Sequence, residues 1–78
     1  MIEDTKTFQS SDFWLSSFLK AKVLKLIKIK KEGKRSIFIF ENREDIEGLI
    51  QEFYNNGLIA VGNFKTAVQD LKSLIHNF

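Results

Sequence analysis

The sequence predicts an α+β domain in which three helices cover a small antiparallel sheet, in the order α-β-β-α-(β)-α. Three observations predict this class. Two extended apolar runs flank Glu32-Gly33, as the strands of a hairpin do. Separate stretches before and after that hairpin repeat apolar residues at helical spacing. The 78 residues, 44% of them apolar, are enough for one globular domain over 1–78 and differ from the composition of a disordered chain.

The start of the chain and its composition indicate where the protein resides. Residues 1–9 are mixed and polar, so we expect 1–8 to be flexible, with Phe8 docking at the end of this segment. The first residues lack the order of a signal peptide, and no apolar run approaches the roughly 18–20 residues that cross a bilayer. The chain has no cysteine, which fits a reducing compartment. We therefore expect a soluble cytoplasmic protein without membrane contact.

A first amphipathic helix is predicted at about 12–22. Ser10 or Ser11 is its expected N-cap, and Asp12 suits the positive end of its dipole. Four large apolar residues recur at helical spacing and define the predicted buried face: Trp14, Leu15, Phe18 and Leu19. Three polar residues between them are expected to face water: Ser16, Ser17 and Lys20.

The next element is a predicted hairpin that pairs residues 24–31 with 34–41. Gly33 lies between the two runs and can take the positive φ that a tight hairpin turn requires. The alternation of apolar and basic residues slips by one position between Leu26 and Ile27. This slip predicts a β-bulge, or a strand with both faces partly covered.

The second strand of the hairpin is apolar at four successive positions, 37–40. Both of its faces therefore need cover. Helices are expected on one face, and another helix or a second subunit on the other. Ile37 and Ile39 are the predicted interface residues, and the small size of the domain also favours a homo-oligomer.

The second helix has the clearest apolar stripe, formed by five residues: Ile46, Leu49, Ile50, Phe53 and Tyr54. Asn42 and Asp45 resemble a capping box at its start, with Asp in place of Glu or Gln. Gly48 makes the helix less stable than alanine would, so we interpret it as a position where another segment of the backbone approaches the helix closely. Gly57 is the expected left-handed residue after the helix.

The last part of the chain is predicted to end in a third helix. Residues 58–61 form a short apolar stretch, interpreted as a third, edge strand or a packed loop. Asn63 is the expected N-cap of the helix that follows. Its apolar stripe comprises six residues: Phe64, Val68, Leu71, Leu74, Ile75 and Phe78.

Several segments together resemble a group of short domains of unknown function found in prokaryotes and their mobile elements. They are Ser10 to Phe13, Phe18 to Lys22, Phe38 to Glu41, the stripe from Ile46 to Asn55, and Leu71 to Ile75. The resemblance covers about residues 8–76 and implies a single complete domain. It implies no activity, because that group has none established. Related sequences often carry Gly after the first helix, where this chain has Val23.

Charge is concentrated in one window. Residues 20–35 contain eight of the twelve basic residues and one acid, Glu32, so this window carries +7 although the whole chain carries +2. Six of its basic residues are the predicted contacts to a nucleic acid or another polyanion: Lys25, Lys28, Lys30, Lys31, Lys34 and Arg35. The alternative is a solvated face with a lysine-protected edge strand. Lysine outnumbers arginine here, so contact through charge is favoured over base readout.

The sequence offers no set of residues for catalysis. His76 is the only histidine, and without cysteine a zinc site is not expected. The four glycines are isolated, so no phosphate-binding loop is present. The acidic residues at 41–47 are explained by helix capping and the helix dipole rather than by a cation. We predict no catalytic residue, cofactor, metal or small-molecule substrate.

Two functional hypotheses remain. The first is a non-enzymatic binding module, acting as a homodimer, whose lysine-rich hairpin contacts nucleic-acid backbone or an acidic protein surface. The second is a protein-interaction or inhibitor module, in which the acidic helix at 43–54 or the exposed sheet face binds a specific protein.

Overall fold

The computed structural model describes residues 7–77 as a three-stranded antiparallel sheet with three helices on one face. The elements are β1 (Thr7–Ser10), α1 (Phe13–Ala21), β2 (Leu26–Glu32), β3 (Arg35–Glu41), α2 (Ile46–Tyr54) and α3 (Val61–His76). The strand order is β1-β3-β2, so β3 is central. The predicted α+β class is confirmed.

The third strand lies at the start of the chain, which corrects the predicted place of this strand. Thr7 and Phe8, at the end of the segment predicted to be flexible, belong to β1, while residues 1–6 lie outside the described residues. Residues 57–60 are irregular and Val61 begins α3, so 58–61 is not a strand. Phe8 does dock as predicted, because it pairs with Phe40 and packs against the core. This pairing satisfies the edge of β3 that the hairpin leaves open.

The hairpin forms as predicted. Gly33 has φ +60° in a two-residue turn between the paired residues Glu32 and Arg35. The register shifts between Leu26 and Lys28, which leaves Ile27 as the extra residue of a β-bulge. The slip in the apolar alternation therefore had a direct structural cause.

The core lies between the sheet and the helices. Eight buried residues form it: Leu15, Leu19, Leu24, Phe38, Phe40, Ile46, Leu49 and Leu71. Helix α1 is in the middle of the helical layer, because it contacts α2, α3 and β1. The third helix thus completes the layer chiefly through α1.

This central position corrects the predicted faces of α1. Ser16 and Ser17 are fully buried instead of facing water, whereas Trp14 is 55% exposed. Ser17 Oγ donates to the carbonyl oxygen of Phe13 at 2.9 Å, while Ser16 Oγ has no hydrogen-bond partner among the described residues. A helix with neighbours on several sides buries more than one stripe, and small side chains permit this.

The helix starts also differ from prediction. Asp12 is the N-cap of α1, and its Oδ1 accepts hydrogen bonds from the backbone N–H groups of Trp14 and Leu15 at 3.0 and 3.1 Å. The N-cap of α2 is Asp45 rather than the predicted Asn42, and the Asp45 side chain makes no capping bond. Asn63 lies inside α3, whose N-cap is Ala60.

Helix α1 ends in a Schellman motif centred on Val23. The N–H of Val23 donates to Lys20 O at 2.9 Å and that of Leu24 to Leu19 O at 3.0 Å. Val23 has φ +68°, a left-handed conformation that β-branched residues rarely adopt. It is 80% exposed, so no burial offsets this strain.

We expect Val23→Gly to raise the free energy of unfolding by about 1 kcal/mol, because glycine removes a left-handed penalty of about 1–2 kcal/mol and adds some entropy to the unfolded chain. Thermal unfolding checks this, with an increase of about 4–8 °C per kcal/mol for a domain of this size. Val23→Ala serves as the control, since it keeps a Cβ in the strained position. A lower melting temperature for Val23→Gly would contradict the strain.

Candidate polyanion interface

The candidate site is the basic hairpin, which comprises six residues: Lys25, Lys28, Lys30, Lys31, Lys34 and Arg35. All six are exposed. Lys28 pairs with Ile39 and Lys30 with Ile37, on the sheet face opposite the helices. Arg35 and Ile37 are two residues apart in β3, so Arg35 lies on the same face as Ile37. Lys34 lies in the turn. The fold therefore places a basic surface on the uncovered side of the sheet.

Lys31 and Lys25 extend this surface at its borders. Lys31 pairs with Ser36, so it belongs to the face of the sheet that the helices cover. It lies closer to the turn than the core residues of the hairpin do. Lys25 precedes β2, and its backbone N–H donates to Glu41 Oε2 at 2.9 Å. The six predicted residues are thus brought onto one hairpin but not onto one face.

The predicted interface residues Ile37 and Ile39 are already covered within the chain. They are 8% and 5% exposed and do not belong to the core cluster between the sheet and the helices. Gln9 and Lys28 flank Ile39 on the neighbouring strands. Long lysine side chains cover apolar neighbours with their stems while the charged ends stay in water. A partner on this face would meet the charged ends of Lys28, Lys30 and Arg35 before it reached the two isoleucines.

Glu32 is the acid among residues 25–35. Its carboxylate lies 3.5 Å from Lys30 Nζ and 3.9 Å from Arg35 Nη2. Exposed pairs of this kind contribute little and are readily exchanged. The other four lysines of the hairpin form no ion pair with a described residue. Most of the positive charge is therefore available to an external anion.

The two other lysines of the basic window have different surroundings. Lys20 lies 3.9 Å from Asp70 of α3, and Lys22 lies 3.2 Å from Glu52 of α2. Both pairs join neighbouring helices. The window that is continuous in sequence is thus divided in space, and only the hairpin part forms the candidate site.

The acidic segment at 43–54 is partly neutralised within the chain. Arg43 donates through Nε and Nη2 to the two carboxylate oxygens of Asp45, at 3.0 and 2.8 Å. These hydrogen bonds lower the pKa of Asp45 and raise that of Arg43. Glu52 is paired with Lys22. Less unpaired acidic surface remains here than the sequence indicated.

Other chemistry has little support in the described residues. Between residues 7 and 77, no group of three or more His, Cys, Asp or Glu residues could hold a metal ion. Within the same range, the helices are too short or too polar to cross a membrane.

A gap of about 420 Å³ between β2 and α3 was not predicted. It is lined by Leu26, Ile27, Lys28, Ile29 and Leu74. The slip in the apolar alternation indicated that Ile27 is irregular, but no signal in the sequence places Leu74 beside Ile27.

The fold and the basic hairpin define a small α+β domain that presents lysine on the open face of its sheet. A family model described as a domain of unknown function, DUF5659, matches residues 5–77. The chain belongs to this family. No curated protein and no solved structure matches the chain.

Proposed function

We propose that this protein is a non-enzymatic binding module whose basic hairpin contacts the phosphate backbone of a nucleic acid in the cytoplasm. One observation carries the proposal: six exposed basic side chains lie within residues 25–35, which include a single acid, and four of them lack an ion pair with a described residue. Lysine neutralises phosphate charge without demanding a fixed geometry.

The contact we propose does not read bases. Arg35 is the one arginine of the hairpin, and arginine is the residue that forks onto guanine. The two phenylalanines of β3, Phe38 and Phe40, are 1% and 0% exposed, so they provide no platform on which a base could stack. Charge and shape are then the basis of recognition.

A fluorescence-anisotropy titration tests this proposal with labelled single-stranded DNA, duplex DNA and RNA. If four to six phosphates are neutralised on a duplex, affinity should fall about 150- to 2,000-fold between about 50 and 200 mM salt. Polyglutamate is the competitor that separates phosphate from any acidic polymer. No binding at 50 mM salt, or affinity insensitive to salt, would contradict the proposal. Displacement by polyglutamate at equal charge concentration would favour an acidic protein surface instead.

We propose a homodimer as the assembly of this module. Small domains bury a limited share of their surface, and Leu58 and Val61 remain 89% and 81% exposed. These residues are better placed to meet a second copy than Ile37 and Ile39, which are buried. Light scattering during size-exclusion chromatography should then give twice the 9.1 kDa chain mass at micromolar concentration. Leu58→Glu should restore the single-chain mass, and a single-chain mass for the unmodified protein would contradict the dimer.

A further inference from the structure

We propose that the free edge of β2 and the groove between β2 and α3 bind an extended peptide with alternating aliphatic and acidic side chains. This surface shares Lys28 and Lys30 with the basic hairpin, but its strand edge and its apolar groove take no part in the proposed contact to nucleic acid. The inference does not depend on the proposed function.

The edge of β2 offers main-chain hydrogen bonds. In the strand order β1-β3-β2, β2 pairs with β3 on one side and with no strand of residues 7–77 on the other. An edge strand presents a row of unpaired N–H and C=O groups to solvent. An added strand pairs with such a row, and this pairing supplies affinity that is independent of the peptide sequence.

The groove beside this edge offers an apolar contact. Four of its five lining residues are aliphatic: Leu26, Ile27, Ile29 and Leu74. Ile27 and Leu74 are 47% and 39% exposed, and Ile27 is the extra residue of the bulge. The volume of about 420 Å³ is within the usual range for binding pockets and accepts one or two aliphatic side chains.

Charge specifies the occupant. Lys28 and Lys30 lie on the outer face of β2, whereas Ile29 faces the core side. Side chains of an added strand alternate between the same two faces. Those on the core side would enter the groove, and those on the outer side would lie beside the lysines. A peptide in which aliphatic and acidic residues alternate would therefore place aliphatic side chains in the groove and acidic side chains beside the lysines.

A second copy of this chain is a poor occupant of the same edge. Pairing β2 with another β2 would place lysine opposite lysine, and like charges directly opposite are destabilising. Lysines and bulges protect edges against such self-pairing. Protection of the edge does not require exposed aliphatic residues, so Ile27 and Leu74 indicate that a partner binds here. Lys28 and Lys30 favour a partner of opposite charge.

The test uses a fluorescein-labelled peptide of five Val-Glu repeats and the full chain at about 50 mM salt. We expect anisotropy to show binding, and amide signals of β2 to shift in NMR spectra. Ile27→Ser and Leu74→Ser should each weaken peptide binding at least tenfold. Tyr54→Ser is the matched control, since Tyr54 is an exposed apolar residue of α2 that neither lines the groove nor belongs to the proposed dimer surface.

Two further measurements make the outcome decisive. A peptide methylated on alternate backbone nitrogens should lose at least tenfold in affinity, because strand addition needs those N–H groups. Oligonucleotide binding should be unchanged in Ile27→Ser and Leu74→Ser, which retain every lysine. No peptide binding up to 1 mM, or equal binding of the methylated peptide, would overturn the inference. Equal loss of peptide and oligonucleotide binding in the serine variants would also overturn it.

Discussion

Reversal of three charges on the basic hairpin, Lys28→Glu, Lys30→Glu and Lys34→Glu, is expected to weaken oligonucleotide binding at least 100-fold at low salt. Each change removes a positive charge that neutralises phosphate and adds a repulsive charge on the same surface. The salt dependence should also decrease, by about 0.9 in the logarithmic slope for each phosphate that is no longer neutralised on a duplex. Anisotropy titrations at several salt concentrations measure both effects.

A matched control separates the site from net charge. Lys65 and Lys72 are exposed on α3, so their reversal changes the net charge as much as reversal of Lys28 and Lys30 does. We expect the α3 pair to weaken binding much less than the hairpin pair. Circular dichroism should show that all variants remain folded, because none of these lysines is buried. Equal losses for the two pairs would mean that only overall charge matters, and unchanged binding in the hairpin triple variant would place the site elsewhere.

The second large effect concerns two glycines, one inside α2 and one shortly after its end, that should respond in opposite directions. Gly57→Ala is expected to destabilise the fold by about 1–3 kcal/mol, as forced overpacking does. An added Cβ at Gly57 would lie 2.7 Å from the carbonyl oxygen of Glu52, which accepts the backbone hydrogen bond of Gly57 at 2.6 Å. Neither backbone group can move without opening the end of α2.

Gly48→Ala is the control and is expected to stabilise by up to about 1 kcal/mol, because alanine favours a helix interior. Gly48 is exposed in α2, and an added Cβ would meet nothing within 4 Å. Urea unfolding of both variants measures the difference. Gly57→Ala with unchanged stability would show that the end of α2 can relax.

These two glycines also show where prediction from sequence ended. The close approach was predicted at Gly48, but it occurs at Gly57. The left-handed residue after α2 is Asn56, with φ +59°, rather than Gly57. Both residue types tolerate that conformation, so the local sequence could not distinguish the two positions. The hydrogen bond to Glu52 decided which one needed to lack a side chain.

The candidate site was predicted in its residues but not in its extent. The lysines of the hairpin were recognised because their charge density is visible in the sequence. Lys20 and Lys22 belong to the same window but pair with Asp70 and Glu52, which are distant in the chain. The buried state of Ser16 and Ser17 was missed for the same reason, since polarity predicts exposure only when no neighbour covers the residue.

The features that depend on residues close together in the chain were predicted correctly. Gly33 determined the hairpin turn, the slip at Leu26 and Ile27 determined the bulge, and apolar spacing determined three helices. Three other features depend on contacts that form only in the folded chain: the strand that completes the sheet, the central position of α1 and the choice of lysines that remain unpaired. Turns, bulges and helices follow from backbone preference and side-chain period over a few residues. Strand order, burial and ion pairing depend on contacts between distant segments, which local preference does not specify.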